Sequence, residues 1–263
     1  MGSATREAIG AATAVLGAQA KIDLATGEQL LDAALVVERE ARLRAALADD
    51  SAEPGARTSI VAAVFATYSA AAKAVLDSLV TSRWSSSDDL ADGIEQLGIR
   101  AVAASAPATL SISDELFVLG TAVASNPELE LALGSKLGAV DGKISLVDGL
   151  LDGKASRQTI AIVGALLAQP RGRRFGELLR YAAGIVAEQA GYSIATVTVA
   201  TPLAATQSTR LEKALSAQQG SAVRINQVID PSILGGMRVQ IGDDVIDGTI
   251  AGRLTDLRLR LVG

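Results

Sequence analysis

The chain has no cysteine and no histidine. Without cysteine there is no disulfide framework, and without either residue the usual zinc sites cannot form. The missing histidine removes the commonest general base near neutral pH and excludes Ser-His-Asp and Cys-His catalysis. Chemistry by Asp, Glu, Lys or Tyr stays open. Aromatic residues make up only 3% of the chain. A pocket lined with rings is therefore not expected, and the abundant Ala, Leu, Val and Ile favour close helix packing. Long hydrophobic runs are also lacking. The uncharged stretch Thr58 to Ala72 falls short of the roughly 18 residues of a membrane span and is largely Ala, Ser and Thr. The N-terminus MGSATREAIG lacks the basic-then-apolar pattern of a signal peptide. Despite a mean hydropathy of +0.33, the expectation is a soluble cytoplasmic protein, at most beside a membrane.

What is present starts with length. A chain of 263 residues buries a substantial core as one large domain or as two to three small ones. The net charge of −5 is uneven. Residues 1–107 carry 9 basic and 14 acidic groups, residues 108–191 carry 8 and 9, and residues 192–263 carry 7 and 6. No block has the positive excess of a nucleic-acid binder.

Most of residues 4–190 reads as helix. Leu30, Leu31, Ala34 and Leu35 follow helical spacing, as do Ile60, Val61, Val64 and Phe65, and then Leu90, Ile94, Leu97 and Ala101. Ser87 is the expected N-cap of that last stripe. Asn126-Pro127-Glu128 marks another helix start, with a capping Asn, a Pro suited to the first turn and an acid at the positive end. An internal echo is visible. Leu43 to Phe65 aligns with Leu129 to Leu151 about 86 residues later; Leu76 and Leu79 then meet Ile162 and Ala165. If it is a duplication, it means two related helical bundles in tandem, with a period too long for an ordinary solenoid.

The texture changes near Gly191. Tyr192 to Ala200 is rich in β-branched residues and suits a strand ended by Pro202. Thr206 to Gln219 reads as a helix stopped by Gly220. Val223 and Ile225 alternate with polar residues in a second strand, and Met237, Val239 and Ile241 in a third. Ile250 to Leu261 is helical again, with Leu254, Leu257 and Leu261 on its stripe and an Asp256–Arg260 pair.

The segment Asp230 to Leu254 gathers acids and glycines and is the first place to look for chemistry. Asp230-Pro231, Gly235-Gly236, Gly242-Asp243-Asp244 and Asp247-Gly248 all suit chain reversals, because Gly reaches strained backbone angles and Asp bonds local N–H groups. An EF-hand starting at Asp243 would put Val245 third and Leu254 twelfth, where oxygen ligands belong. An enzyme using Asp243, Asp244 and Asp247 as acid and base is the rival reading. The stretch Asp148 to Ala155 departs from a P-loop: Asp148 replaces the first Gly, Ala155 replaces Ser/Thr, and helices flank it, so a helix–helix turn is expected. Arg171, Arg173 and Arg174 read as a solvated loop, with docking of an acidic segment as the alternative. Trp84, the sole Trp, is expected in core or helix-end packing. No catalytic, cofactor-binding or metal-binding residue is assigned.

One combination points to a family. Ile229-Asp230-Pro231-Ser232-Ile233-Leu234-Gly235-Gly236-Met237-Arg238-Val239, then Gly242-Asp243-Asp244-Val245-Ile246-Asp247-Gly248 and Arg253-Leu254, resembles the C-terminal motif of the delta subunit of F-type ATP synthase. The mitochondrial counterpart is the oligomycin sensitivity conferral protein. Residues from about Ile99 to Leu203 resemble the helical domain of that family and its first C-terminal strand. The first 98 or so resemble the added helical region of longer actinobacterial members, some of which are fused to a b-type stalk segment; this chain reads as the unfused form. The resemblance implies a stator part that binds no nucleotide and moves no protons. Its helical domain would grip N-terminal segments of alpha subunits, and its C-terminal domain would meet the b-type peripheral stalk. It would occur as one copy in a hetero-oligomeric complex, peripheral at the cytoplasmic face of the membrane.

The expected fold is α plus α/β: tandem all-α bundles over 1–98 and 99–190, then a small α/β domain with a short β-sheet over 191–263. The expected function is a non-catalytic stator subunit. The alternatives are a helical adaptor of another cytoplasmic complex and, behind it, an Asp/Glu-dependent hydrolase.

Overall fold

The structure is a computed structural model and describes residues 2–134, 140–151, 153–242 and 244–254. The chain divides into two compact units, Met1–Val186 and Ala187–Gly263. The first is all helix: α1 (Ser3–Gly17), α2 (Leu24–Arg39), α3 (Ala41–Ala48), α4 (Pro54–Val64), α5 (Ala70–Thr81), α6 (Ser87–Ala104), α7 (Ile112–Ala124), α8 (Pro127–Gly134), α9 (Val140–Leu151), α10 (Arg157–Ala168) and most of α11 (Phe175–Gln189). The expected tail of the last helix, with Leu257, Leu261 and the Asp256–Arg260 pair, lies outside the described residues.

Local chemistry sets these ends. Asp23, Ser69, Ser86 and Ser156 each accept a hydrogen bond from the backbone N–H three residues on, satisfying a donor that the helix leaves free. The cap of α6 is thus Ser86, one residue before the expected Ser87. Asn126 Oδ1 accepts from the Leu129 N–H at 3.1 Å and opens α8 as expected. Leu90, Ile94, Leu97 and Ala101 are fully buried. Val64 is the exception among the expected stripes, at 47% exposed.

The internal echo is a structural repeat. Helices α1–α6 recur as α6–α11, in the same order and with similar lengths. At a spacing of 86 residues Leu30, Ala33 and Val37 of α2 match Leu116, Leu119 and Val123 of α7, and all six are buried. Leu47 matches Leu133, and Val61 matches Val147, again all buried. In α5 and α10 the spacing becomes 87, so Leu76 and Leu79 match Val163 and Leu166 rather than the expected Ile162 and Ala165. A cross-helix bond repeats as well. Gln29 Oε1 on α2 accepts from the N–H of Ser69, the cap of α5, at 2.9 Å. Glu115 Oε2 on α7 accepts from the N–H of Ser156, the cap of α10, at 3.0 Å.

One helix belongs to both copies. α6 is the sixth helix of the first and the first helix of the second, and its residues are buried almost all round, including Glu95 and Gln96. That pattern marks a helix enclosed by neighbours. Its backbone approaches α2 closely at two glycines. A Cβ on Gly27 would stand 2.7 Å from the Val102 amide nitrogen, and one on Gly98 would stand 3.0 Å from that of Leu31. The division expected between 98 and 99 falls inside α6, so the bundles are interleaved rather than set end to end.

The second unit holds a four-stranded sheet: β1 (Tyr192–Val199), β2 (Ala222–Ile229), β3 (Met237–Ile241) and β4 (Asp244–Asp247), in the order β2-β1-β3-β4. β1 and β2 are parallel and are joined through α12 (Ala205–Gln219), which ends on Gly220 at φ 70°. β3 runs antiparallel to β1 on its other side. The segment between β2 and β3, expected as a simple reversal, therefore crosses to the opposite flank of β1. Val197, Val199, Val223, Val239 and Leu215 form the core.

Among the described residues, no single helix is long and apolar enough to cross a membrane; α7 and α8 pass only as a pair bent by 106°.

Sharing α6 has a testable consequence. Removing residues 1–98 deletes two thirds of the common helix and its neighbours α1–α5. The remainder should lose cooperative thermal unfolding of its helices, read by far-ultraviolet circular dichroism. A sharp transition like that of the whole chain would refute the sharing.

Candidate functional site

Two acids of the Asp230–Leu254 segment, Asp230 and Asp247, bind the local backbone. Asp230 Oδ1 accepts from the Ser232 N–H at 2.9 Å and hydroxyl at 2.6 Å. Asp247 Oδ1 accepts from the Thr249 N–H at 2.9 Å and hydroxyl at 2.7 Å. Asp49, far away in sequence and at the end of α3, does the same with Ser51 at 3.0 and 2.6 Å. One Asp-x-Ser/Thr device thus serves three turns. In each the hydroxyl and amide hold the carboxyl below its ordinary value. A general acid or base near neutral pH needs the opposite shift. Of the other acids in the rival enzymatic reading, Asp244 is exposed and pairs with Ile241 at the start of β4. Asp243 lies outside the described residues.

The glycines bring two segments together. Gly235 accepts from the Ile250 N–H at 3.1 Å, and the Gly248 N–H donates to Met237 at 2.9 Å. Gly236 has φ 81°, and a Cβ there would meet the Gly248 carbonyl oxygen at 2.4 Å. Only glycine allows this approach.

Lys154 sits in the turn between α9 and α10, its N–H donating to Leu151 at 2.8 Å. Ser156 then caps α10, so Gly153 to Ala155 form a helix–helix connection. Asp152 and the Asp148 side chain lie outside the described residues. Trp84 is half-buried at the end of α5, its Nε1–H donating to the Leu79 carbonyl at 2.8 Å, and its ring leaves no room for a Cβ on Gly93.

In the helical unit a charged cluster gathers around Arg171, expected in a solvated loop with docking of an acidic segment as the alternative. Arg171, in the turn between α10 and α11, has its side chain only 13% exposed. It pairs with Asp92 of α6, and its Nη2 stands 3.6 Å from Glu95 and 3.9 Å from Glu38 of α2. Arg44 joins Glu38 to Asp88. Arg173 lies over the Tyr181 ring at 4.7 Å. The expectation of a solvated loop is corrected for Arg171: it docks on acids of its own chain. Arg171 holds φ 46°, a left-handed angle that costs a residue with a Cβ about 1–2 kcal/mol. Beside the cluster is a cavity of about 270 Å³ between α2 and α10, lined by Leu31, Leu35, Ala161 and Ala165, with Glu95 and Gln169 also on its wall. Among the described residues no group of three or more acids stands close enough to hold a metal ion.

Burial pushes Glu95 up to about 7; the charge of Arg173 opposes this and Glu38 adds to it. Between pH 4.5 and 7 the native state therefore holds a proton that the unfolded chain has released. Stability should fall as pH rises through that window, by ~2–3 kcal/mol in all. Glu95→Gln should flatten this slope in denaturant titrations across pH; an unchanged slope would refute the assignment. In the sheet unit, Gly236→Ala should cost ~2 kcal/mol or more, because strain and a backbone clash add. A melting temperature within one degree of the parent would contradict the close approach.

An interleaved helical repeat followed by a small mixed sheet, with Asp230 and Asp247 tied to turns and a charged clasp, defines a class: a helical protein with an α/β appendage. Comparison with known proteins narrows it. The family model described as ATP synthase delta (OSCP) subunit matches residues 99–261. The chain is 52% identical to the ATP synthase subunit delta of Leifsonia xyli subsp. xyli over the whole of both chains. It is 41% identical to that of a Nocardioides species, covering 91% of this chain and 88% of the relative, and 37% identical to that of Thermobifida fusca, covering 90% of each. The chain belongs to the ATP synthase delta (OSCP) subunit family. It is a non-catalytic subunit of an F-type ATP synthase, a membrane-associated complex.

Proposed function

We propose that this subunit is the mechanical link of its synthase. In this reading residues 99–190 hold N-terminal segments of the alpha subunits on the catalytic head, and residues 191–263 receive the end of the b-type peripheral stalk. The subunit then lies peripherally at the cytoplasmic face of the membrane, one copy per complex. The observation that carries the reading is the extent of the family match, which runs across the second helical copy and the sheet unit together.

The mechanical demand can be stated from general physics. One charge crossing 100 mV releases about 2.3 kcal/mol. Several charges per product load the link by an amount comparable to a nanomolar contact, about 12 kcal/mol. Such a link needs extensive or multiple contacts made by preformed surfaces. Interlocked helices with buried side chains offer that preorganisation.

Membranes stripped of this subunit should regain proton-driven ATP synthesis when the purified chain is added back. A chain ending at residue 190 should bind a peptide copying the alpha-subunit N-terminus yet fail to restore synthesis. No peptide binding at about tens of micromolar, with synthesis unaffected by stripping, would overturn the reading.

A further inference from the structure

The two helical copies meet along a second seam besides the shared α6. There α2 of the first copy lies against α10 of the second, and the seam is underfilled. α2 turns Glu28, Leu31, Asp32 and Leu35 to it, one helical face at i, i+3, i+4 and i+7. α10 answers at the same spacing with Ala161, Gly164, Ala165 and Ala168, none with a side chain larger than a methyl group. The gap left between them is the cavity of about 270 Å³. A Cβ on Gly164 would meet nothing within 4 Å beyond its own helix backbone, so there is space beside α10 for a larger group. The repeat does not impose this face. At the spacing of 87 that relates α5 to α10, the matching positions are Ala74, Asp77, Ser78 and Thr81.

Packed interiors leave few voids larger than a water molecule, and the wall of this one selects an occupant. It is mostly apolar, but two polar side chains stand on it, and both are buried: Gln169 is 9% exposed and Glu95 is 4% exposed. Gln169 Nε2 has no hydrogen-bond partner. A buried donor left in that state costs stability that a bound acceptor would restore. Glu95 Oε2 meets Arg171 Nη2 only at 3.6 Å, so the carboxyl group keeps capacity to accept a proton donor. Glu28 and Asp32 are exposed and form the acidic outer rim. Among the described residues no Lys or Arg lines the cavity, so the wall opposes an anion. An ammonium group would suit Glu95 but leave the Gln169 donor without an acceptor. A hydroxyl group suits both, because its oxygen accepts from Gln169 and its hydrogen is donated to Glu95.

We propose that the seam between α2 and α10 binds a small neutral alcohol, its apolar body lying between Leu31, Leu35 and the small residues of α10 and its hydroxyl group held by Gln169 and Glu95. Such a ligand touches both helical copies at once. It binds the native arrangement and not the unfolded chain, so it stabilises the contact between them. The site is separate from the link to head and stalk and does not depend on that reading.

The test is thermal unfolding and calorimetry of the full chain with three probes of one chain length: 1-octanol, octanoate and octylammonium. At about 1 mM, 1-octanol should raise the melting temperature by about 2 °C or more, and octanoate should not raise it. Gly164→Leu and Ala165→Leu each fill the gap and should abolish the shift while keeping the parent circular dichroism spectrum. Gln169→Leu removes the donor and should weaken 1-octanol by about tenfold in calorimetry. A shift that survives both filled variants would put the alcohol elsewhere and overturn the site. No shift with 1-octanol would leave the cavity to water and overturn the ligand. Stabilisation by octylammonium in place of 1-octanol would overturn recognition through a hydroxyl group.

Discussion

The burial of α6 on nearly every side constrains the helical unit more than any other feature. A helix serving one bundle needs one apolar stripe. α6 serves two and carries Leu90, Ile94, Leu97, Ile99, Ala101 and Val102 in its buried set. Gly27 and Gly98 let α2 and α6 approach at backbone distance, where any Cβ would force the helices apart. Because close-packed interiors respond to the loss of a single methylene, a disturbance in α6 reaches both copies. The repeat is therefore a mechanical unit and not a pair of beads on a linker.

The clasp around Arg171 adds specificity rather than simple stability. Taking charges out of water is expensive, and a buried pair often does no better than apolar residues of the same size. Its value here is positional. The guanidinium reaches acids on α2 and α6 from a turn more than seventy residues away in sequence, and the arrangement tolerates a left-handed Arg171. Breaking the pairing leaves Arg171 and Glu95, its two least exposed members, without compensation, which penalises any other seating of the α10–α11 turn.

Much of this was legible in the sequence because it is local. Helical spacing located Leu30, Leu90 and Leu97 in the core, and the Asn126-Pro127 start and the Gly220 stop followed from capping chemistry. The turn role of Asp230 and Asp247 followed from their Gly, Pro, Ser and Thr neighbours. The rest depends on contacts between distant residues. β4 is four residues long with no alternation, so its Val245-Ile246 pair carried no period to read. The crossing of the β2–β3 segment needs the strand order. A one-residue change of spacing before Ser156 hid the correct partners of Leu76 and Leu79. The sharing of α6 was obscured because alignment of two copies invites a boundary between them, and charge composition alone cannot place Arg171 beside Glu95.

The sheet unit applies the same principle of closing off unwanted options. An edge strand with free N–H groups invites another strand to pair. Two donors in the first half of β2 are taken from within the unit. Ser216 Oγ accepts from the Val223 N–H at 2.9 Å, and Glu212 Oε1 accepts from the Ile225 N–H at 3.1 Å, both from α12. At the other edge β4 is short and begins and ends in Asp. Strand addition is thus discouraged at β4 and along the first half of β2. A segment meeting this unit is directed to side chains rather than to the backbone edge, and side chains set a partner's identity where a backbone ladder accepts almost any extended peptide.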